Sequence, residues 1–157
     1  MTALPLEIAV LHDAEGWPDH FDALAEAAVL AALKGSGARL AGAAELSVLL
    51  TDDDEQARLN AQWRGKQAPT NVLSFPQIEP FAPVAGLLGD ITLARETLER
   101  EAEELGKSLE DHFTHLIVHG FLHILGYDHL DEQEALQMEG LETQILHELG
   151  IDDPYAD

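Results

Sequence analysis

Four short segments of the chain alternate apolar and polar residues, or run apolar between turn signals, as strands with a buried face do. They are residues 6–12, residues 45–51, the stretch between Pro69 and Pro76, and residues 87–94. The two prolines favour extended backbone before them and mark the limits of the third segment. The pattern therefore predicts four strands.

The segments between and after these strands repeat their apolar residues every three or four positions, which is the spacing of helices. The predicted helices cover residues 20–34, 53–66, 96–105, 109–125 and 131–149. Three of them begin with a side chain that can cap a helix, followed three positions later by an acid. These pairs are Asp52 with Glu55, Ser108 with Asp111, and Asp131 with Glu134. The interval 77–86 has no period and predicts a surface loop or flap.

The helix predicted over 109–125 is apolar over most of its circumference, so it belongs at the centre of the fold. Its apolar stripe consists of Leu109, Phe113, Leu116, Ile117, Phe121 and Ile124. The order of elements predicts an α+β fold, a small mixed four-stranded sheet covered by helices around this buried helix. The 157 residues are expected to form a single domain, with 150–157 as a loose tail.

Composition limits the possible chemistry and location. The chain has no cysteine, so any zinc ligand must be a histidine or a carboxylate. It has no apolar run of membrane-spanning length and no basic, apolar leader, which predicts a cytoplasmic protein without a membrane span.

The charge is strongly negative. Thirty acidic residues against eight basic ones give a formal charge of −22, which on average repels a phosphate backbone. Either the substrate is not a nucleic acid, or a local basic patch, a metal and a partner protein hold it. A need for solubility or a cytoplasm of high ionic strength explains most of the acidity.

Candidate chemistry lies at the end of the central helix. His119 and His123 are four residues apart, which places both imidazoles on one face, one turn apart. Gly126 is a helix stop that lets the chain reverse, and His129 follows three residues later. Three imidazoles without a fourth protein ligand predict a zinc site that keeps a position open for water, although the same ligands suit nickel, copper and iron.

The spacing H-x3-H-x5-H is similar to the zinc-protease signature H-E-x-x-H-x-x-G-x-x-H. Gly120 stands where those proteases carry their glutamate base, so peptide hydrolysis is disfavoured. His112 and His115 share the sector of the two ligands, but one ion cannot reach back to them and also meet His129. His115 is expected to line the cleft or support a ligand, and Asp128 to receive an imidazole N–H.

Two runs of residues resemble the YbeY family of bacterial endoribonucleases and ribosomal RNA maturation factors. Residues 119–129, His-Gly-Phe-Leu-His-Ile-Leu-Gly-Tyr-Asp-His, resemble its signature H-G-x-L-H-x-x-G-Y-D-H. Residues 64–76 are similar to its block R-G-x-x-x-x-T-[DN]-V-L-S-F-P, and residues 88–91 to its L-G-D-I block. The likeness extends from the second strand through the final helix.

This resemblance implies a zinc-dependent, single-strand-specific endoribonuclease that acts in 16S ribosomal RNA 3′-end maturation and ribosome quality control. It implies one zinc ion on His119, His123 and His129. Arg64 falls on the family's functional arginine, whose planar guanidinium would clamp a phosphate or stabilise charge on the phosphorane. Ribosomal RNA is then the substrate, a ribosomal protein or an assembly GTPase is a further partner, and no nucleotide cofactor or membrane is involved.

Three questions remain open at the level of the sequence. The attacking group is either water or the RNA 2′-hydroxyl. A zinc protease or another metal hydrolase would use the same histidines. A non-catalytic ribosome-assembly factor would keep the metal for structure and use its acidic surface to recruit a basic ribosomal protein.

Overall fold

The computed structural model describes residues 6–65, 70–128 and 130–155. This part of the chain contains four strands and five helices. The strands are β1 (Leu6–His12), β2 (Leu40–Thr51), β3 (Val72–Pro76) and β4 (Val84–Ala94). The helices are α1 (Phe21–Gly35), α2 (Asp53–Arg64), α3 (Arg95–Leu105), α4 (Leu109–Leu125) and α5 (Glu132–Glu148).

The strands form one mixed sheet in the order β1-β2-β4-β3. β1, β2 and β4 run parallel, and β3 pairs antiparallel with β4 at one edge. Parallel neighbours need a long connection, which α1 supplies between β1 and β2. The predicted α+β class with a small mixed sheet is confirmed.

α4 lies at the centre of the molecule, where it contacts α1, α3, α5, β3 and β4. Its Phe113, Ile117 and Phe121 are completely buried, as are Val48 of β2 and Ile91 of β4. Burial of so much apolar surface around one helix is the main stabilising contribution. The predicted central helix is therefore confirmed. Its more polar edge, which carries the histidines, is less deeply buried than its apolar face.

Several element boundaries differ from the prediction, most of them by one or two residues, and three of these differences have a clear physical cause. β2 begins at Leu40 and β4 at Val84, several residues earlier than their alternation indicated. The added residues are rich in Ala and Gly, whose strand propensity is low, so pairing with a neighbour and not intrinsic preference makes them strands. α2 ends at Arg64 because Gly65 takes a left-handed conformation with φ +71°. The predicted continuation to Lys66 falls outside the described residues.

Across residues 6–65, 70–128 and 130–155, no helix combines the length and the apolar character needed to cross a membrane.

Candidate functional site

Both ends of α4 are defined by local contacts. The hydroxyl of Ser108 accepts a hydrogen bond from the backbone N–H of Asp111 at 3.0 Å, as its capping pattern predicts. At the other end Gly126 has φ +121°, and a Cβ there would lie 2.8 Å from backbone atoms of Pro80 and Phe81. Glycine therefore lets the loop between β3 and β4 close onto the end of the helix.

His119 and His123 face each other on the partly buried edge of α4. Their Nε2 atoms are 3.0 Å apart and their ring centroids 4.6 Å apart. Two nitrogens bound to one zinc ion at about 2.0–2.1 Å and at the tetrahedral angle would lie about 3.3 Å apart. The pair is therefore arranged to occupy adjacent positions around one small cation.

The third predicted ligand, His129, lies outside the described residues, so its part in a metal site stays a prediction. Among the residues that the structure describes, no group of three His, Cys, Asp or Glu side chains is arranged to hold a metal ion. Asp128 lines the same cleft as His119 and His123. The described part of the site thus supplies the two-histidine side of the predicted centre.

A buried carboxylate that the sequence analysis missed contacts this edge of α4. Glu142 of α5 is completely buried, and its Oε1 lies 2.8 Å from Nδ1 of His119 and 3.2 Å from Nε2 of His115. Asp128 was the predicted acceptor of an imidazole N–H, and at Nδ1 of His119 the acceptor is Glu142. His115 contacts the same carboxylate, and its supporting role at a metal site stays a prediction.

Glu142 is ionised despite its burial. Desolvation by burial would raise its pKa, but hydrogen bonds from His115 and His119, the nearby His119 charge and a hydrogen bond from Tyr155 lower the pKa to about 2. A buried carboxylate is stable only when donors surround it in this way.

The sequence contained a signal for Glu142. α5 buries Met138, Ile145 and Leu146 along one face, and Glu142 lies on that face between them. A single carboxylate within an apolar stripe indicates a charged group with partners in the interior. The apolar spacing of the stripe predicted core packing alone, and the partners of the glutamate lie on α4 and beyond α5.

The segment after α5 returns to the same place. The hydroxyl of Tyr155 donates to Oε2 of Glu142 at 2.7 Å, and its ring meets that of His115 edge-on at 5.7 Å. Tyr155 is therefore held at the site, whereas the sequence analysis expected a loose tail over residues 150–157. Residues 156 and 157 lie outside the described residues.

Arg64 lines the cleft that contains the histidines. This cleft has a volume of about 680 Å³ and reaches from the end of α2 to His119 and His123. The predicted catalytic arginine and the two described metal-ligand candidates thus open into one space, although they come from distant parts of the chain.

Two contacts orient the Arg64 side chain. Its Nη2 donates to the carbonyl of Ser74 on the edge strand β3, and its guanidinium lies 5.5 Å from the centre of the Phe75 ring. The Ser74 hydroxyl donates in turn to the carbonyl of Gly120 on α4 at 3.0 Å. One residue of β3 therefore connects the arginine to the helix that carries the histidines.

Arg64 also differs in its charge environment from three other arginines of the chain. Three arginines form ion pairs with carboxylates: Arg58 with Glu55 at 2.6 Å, Arg95 with Glu99 at 2.9 Å, and Arg100 with Asp53 at 3.3 Å. Within the described residues, Arg64 contacts a carbonyl and an aromatic ring but forms no ion pair. Its positive charge can therefore be offered to an anion in the cleft.

Gly120 faces the sheet and not the cleft. A Cβ at this position would lie 3.0 Å from Ile91 and 3.1 Å from the hydroxyl of Ser74. A glutamate placed here, as in the zinc-protease signature, would point into packed strands and could not reach a substrate. The protease base therefore has no counterpart at this position.

A second groove of about 740 Å³ lies on the opposite face of the sheet. Trp63, whose side chain is 62% exposed, lies in this groove with its ring 6.3 Å from that of Phe75. Asp90 lines the same groove, whereas its neighbour Ile91 faces α4. Asp90 is thus separated from the histidines by the sheet, and Arg64 lies between the two spaces.

The chain matches a known family over most of its length. The family model for Endoribonuclease YbeY matches residues 12–150, a range that includes Arg64, the histidines of α4 and Glu142. A protein of Methylocella silvestris with that name is 51% identical, over 97% of this chain and 86% of its own length. One of Allorhizobium ampelinum with the same name is 49% identical, over 99% of this chain and 97% of its own.

A solved structure shares the fold. The solution structure of a Thermotoga maritima protein matches with a TM-score of 0.57 and 25% identity, covering 96% of this chain and 99% of that chain. The likeness extends over the sheet and its helices together.

Proposed function

The chain belongs to the YbeY endoribonuclease family, and on that premise we propose that it is a zinc-dependent endoribonuclease of single-stranded ribosomal RNA. The proposed role is 16S ribosomal RNA 3′-end maturation and ribosome quality control in the cytoplasm, with a ribosomal protein or an assembly GTPase as a further partner. The observation that carries the proposal is one cleft that contains a facing pair of imidazoles and an arginine without an ion pair among the described residues.

The metal would be held by His119, His123 and His129. The distance between the two described Nε2 atoms supports this ligand set, and imidazole nitrogen is a preferred ligand of zinc. When bound, zinc supplies Lewis acidity toward a phosphodiester oxygen and favours deprotonation of a nucleophile.

Arg64 would bind the scissile phosphate. Its planar guanidinium offers several N–H donors in a geometry that matches phosphate oxygens. The contact with the Ser74 carbonyl holds the side chain at the cleft, so the donors are positioned before the substrate arrives. Their charge would stabilise the negative charge that grows on the phosphorus oxygens.

The attacking group distinguishes two routes. Attack by water leaves a 5′-phosphate, and attack by the neighbouring 2′-hydroxyl leaves a 2′,3′-cyclic phosphate. Analysis of the ends of a cleaved oligonucleotide identifies the route.

The proposal is tested with His123→Ala and Arg64→Ala, and with Arg58→Ala as the control. Arg58 also lies on α2 but is paired with Glu55. Each variant is checked for fold by circular dichroism, and cleavage of a single-stranded ribosomal RNA fragment is measured. We expect both site variants to lose cleavage by about 10²-fold or more, with the fold retained and the control active.

Elemental analysis of protein purified without chelator completes the test, with about one zinc per chain expected. Wild-type rates in Arg64→Ala would remove the arginine from the mechanism. Wild-type rates in His123→Ala would contradict the metal-dependent reaction.

A further inference from the structure

We propose that Glu142 and Tyr155 are positioning residues that hold the imidazole of His119 with its Nε2 lone pair directed into the cleft. This inference rests on the proposed function, because it assigns these two residues a task at the same site. Neither residue faces the cleft as a ligand would. Each acts through His119.

A hydrogen bond joins Glu142 and His119. Nδ1 of His119 lies 2.8 Å from Oε1 of Glu142, and the other oxygen of that carboxylate accepts the Tyr155 hydroxyl, so the carboxylate is the acceptor on both sides and Nδ1 carries the proton. In the neutral ring the lone pair is then on Nε2, which faces Nε2 of His123 at 3.0 Å. In the other tautomer, Nδ1 would be an acceptor facing the acceptor oxygen of Glu142. The proton on Nε2 would then point to the position that a bound cation would occupy.

The carboxylate of Glu142 is held rigidly by donors on both of its oxygens. Oε1 accepts from His115 and His119, and Oε2 accepts from the Tyr155 hydroxyl at 2.7 Å. Because both oxygens have donors from different segments, the carboxylate cannot rotate without breaking one of these hydrogen bonds. Hydrogen bonds to a buried charged group are among the stronger ones in proteins.

A turn after α5 holds Tyr155 in place. The backbone N–H of Tyr155 donates to the carboxylate of Asp153 at 2.8 Å. The hydroxyl of Thr143 on α5 lies 3.2 Å from the same oxygen and shares its proton with the Glu139 carbonyl at 2.9 Å. This turn ties the segment after α5 to the helix that carries Glu142. The position of the tyrosine hydroxyl at the carboxylate is therefore supported by this turn as well as by the edge-on contact with His115.

A carboxylate behind a metal-binding histidine keeps the ring in one tautomer and makes its free nitrogen more basic. Loss of such a partner typically weakens metal binding by about 10–100-fold. Tyr155 affects only the orientation of the carboxylate, so its loss should have a smaller effect. The expected order of zinc affinity is wild type, then Tyr155→Phe, then Glu142→Gln.

The test uses full-length protein stripped of metal, as wild type, Glu142→Gln and Tyr155→Phe. Glu148→Gln is the control, because Glu148 is exposed on the same helix. Zinc affinity is measured by competition with a chromophoric chelator. Imidazole ¹⁵N NMR of the metal-free proteins reports the tautomer of His119. Thermal unfolding of each metal-free variant reports any general loss of structure.

We expect the Nδ1–H tautomer of His119 in the wild type and a mixture of tautomers in Glu142→Gln. Zinc affinity should fall about 10–100-fold in Glu142→Gln, several-fold in Tyr155→Phe, and not in Glu148→Gln. Unchanged zinc affinity and an unchanged tautomer in both site variants would overturn the inference. If Glu142→Gln does not fold, Tyr155→Phe decides, since it removes one oxygen from a partly exposed ring.

These outcomes are distinct from failure of the proposed function. A wild type that cleaves RNA and binds zinc, with variants that bind it equally well, removes only the positioning role. If the wild type does not bind zinc but the tautomer of His119 still depends on Glu142, the proposed metal-dependent nuclease is contradicted. The positioning role of Glu142 would still stand.

Discussion

Four histidines of α4 have different surroundings although they share one side of the helix. His119 and His123 open into the cleft, and His115 contacts Glu142. His112 is 5% exposed, and its Nε2 lies 2.9 Å from the carboxylate of Glu101 on α3. At the C-terminal end of α4 the histidines therefore line the cleft, and at its N-terminal end His112 connects α4 to α3.

His112 should make stability depend on pH. Burial lowers its pKa below the ordinary value, against the opposing effect of Glu101 and with smaller contributions from His115 and Lys107. The unfolded chain then binds the proton more readily than the folded one, so this histidine costs stability as pH falls below about 6.5. We expect His112→Gln to unfold at a lower temperature than wild type at pH 7.5, and this difference to shrink at pH 5.5.

The control for this comparison is His147→Gln, which replaces an exposed histidine on α5. Its difference from wild type should be small at both values of pH. A gap between wild type and His112→Gln that widens on acidification would show that the folded protein favours the charged imidazole.

At the scale of single elements, the fit between α4 and the sheet depends on one missing side chain. Gly120 lies against Ile91 and the hydroxyl of Ser74, and its carbonyl accepts from that hydroxyl. The helix can approach β3 and β4 closely only because this position has no Cβ. The same approach places the Ser74 carbonyl within reach of Arg64.

We expect Gly120→Glu to destabilise the protein severely and to create no peptidase. The new side chain would bury an unpaired carboxylate between the helix and the sheet, which costs several kcal/mol. Thermal unfolding and a casein assay measure the two effects, and Gly140→Glu is the control, because nothing lies within 4 Å of a Cβ at that position. A stable variant with casein cleavage would show that residue 120 reaches the cleft.

The elements could be predicted from the sequence because their periods and caps are local. The capping residues Asp52, Ser108 and Asp131 all accept the expected backbone hydrogen bonds. The starts of β2 and β4 could not be predicted, because they depend on pairing with each other. Tyr155 was missed for a similar reason, since its importance depends on partners in α4 and α5 that no local pattern indicates. Glu142 was missed although its place in the apolar stripe of α5 is a signal, because the stripe itself predicts core packing.

At the scale of the whole molecule, charge is distributed unevenly. The formal charge is −22, and Arg58, Arg95 and Arg100 are neutralised by neighbouring carboxylates. Arg64, which forms no ion pair among the described residues, therefore keeps a local positive charge on a chain whose total charge is negative. RNA binding must depend on a few short-range contacts and not on an extended cationic surface.

This distribution predicts an unusual response to salt. Proteins that bind single strands through many phosphates lose affinity steeply as salt rises, by a power of about 0.7 for each phosphate contacted. Here salt also screens the repulsion between RNA and the acidic surface, so the two effects oppose each other. We expect KM for a single-stranded oligonucleotide to rise no more than about threefold as KCl increases about sixfold. A rise of about 100-fold would reveal an extended cationic surface.

The two tryptophans of the chain lie in opposite environments. Trp17 is 5% exposed and donates its indole N–H to the carbonyl of Thr51, whereas Trp63 stands in solvent beside Phe75 and the arginine. The molecule thus carries two optical probes that respond to different events. The fluorescence emission of the buried Trp17 reports unfolding. Quenching of the exposed Trp63 by a neutral solute should decrease when a ligand binds next to Arg64. Binding can therefore be measured on unlabelled protein, separately from cleavage.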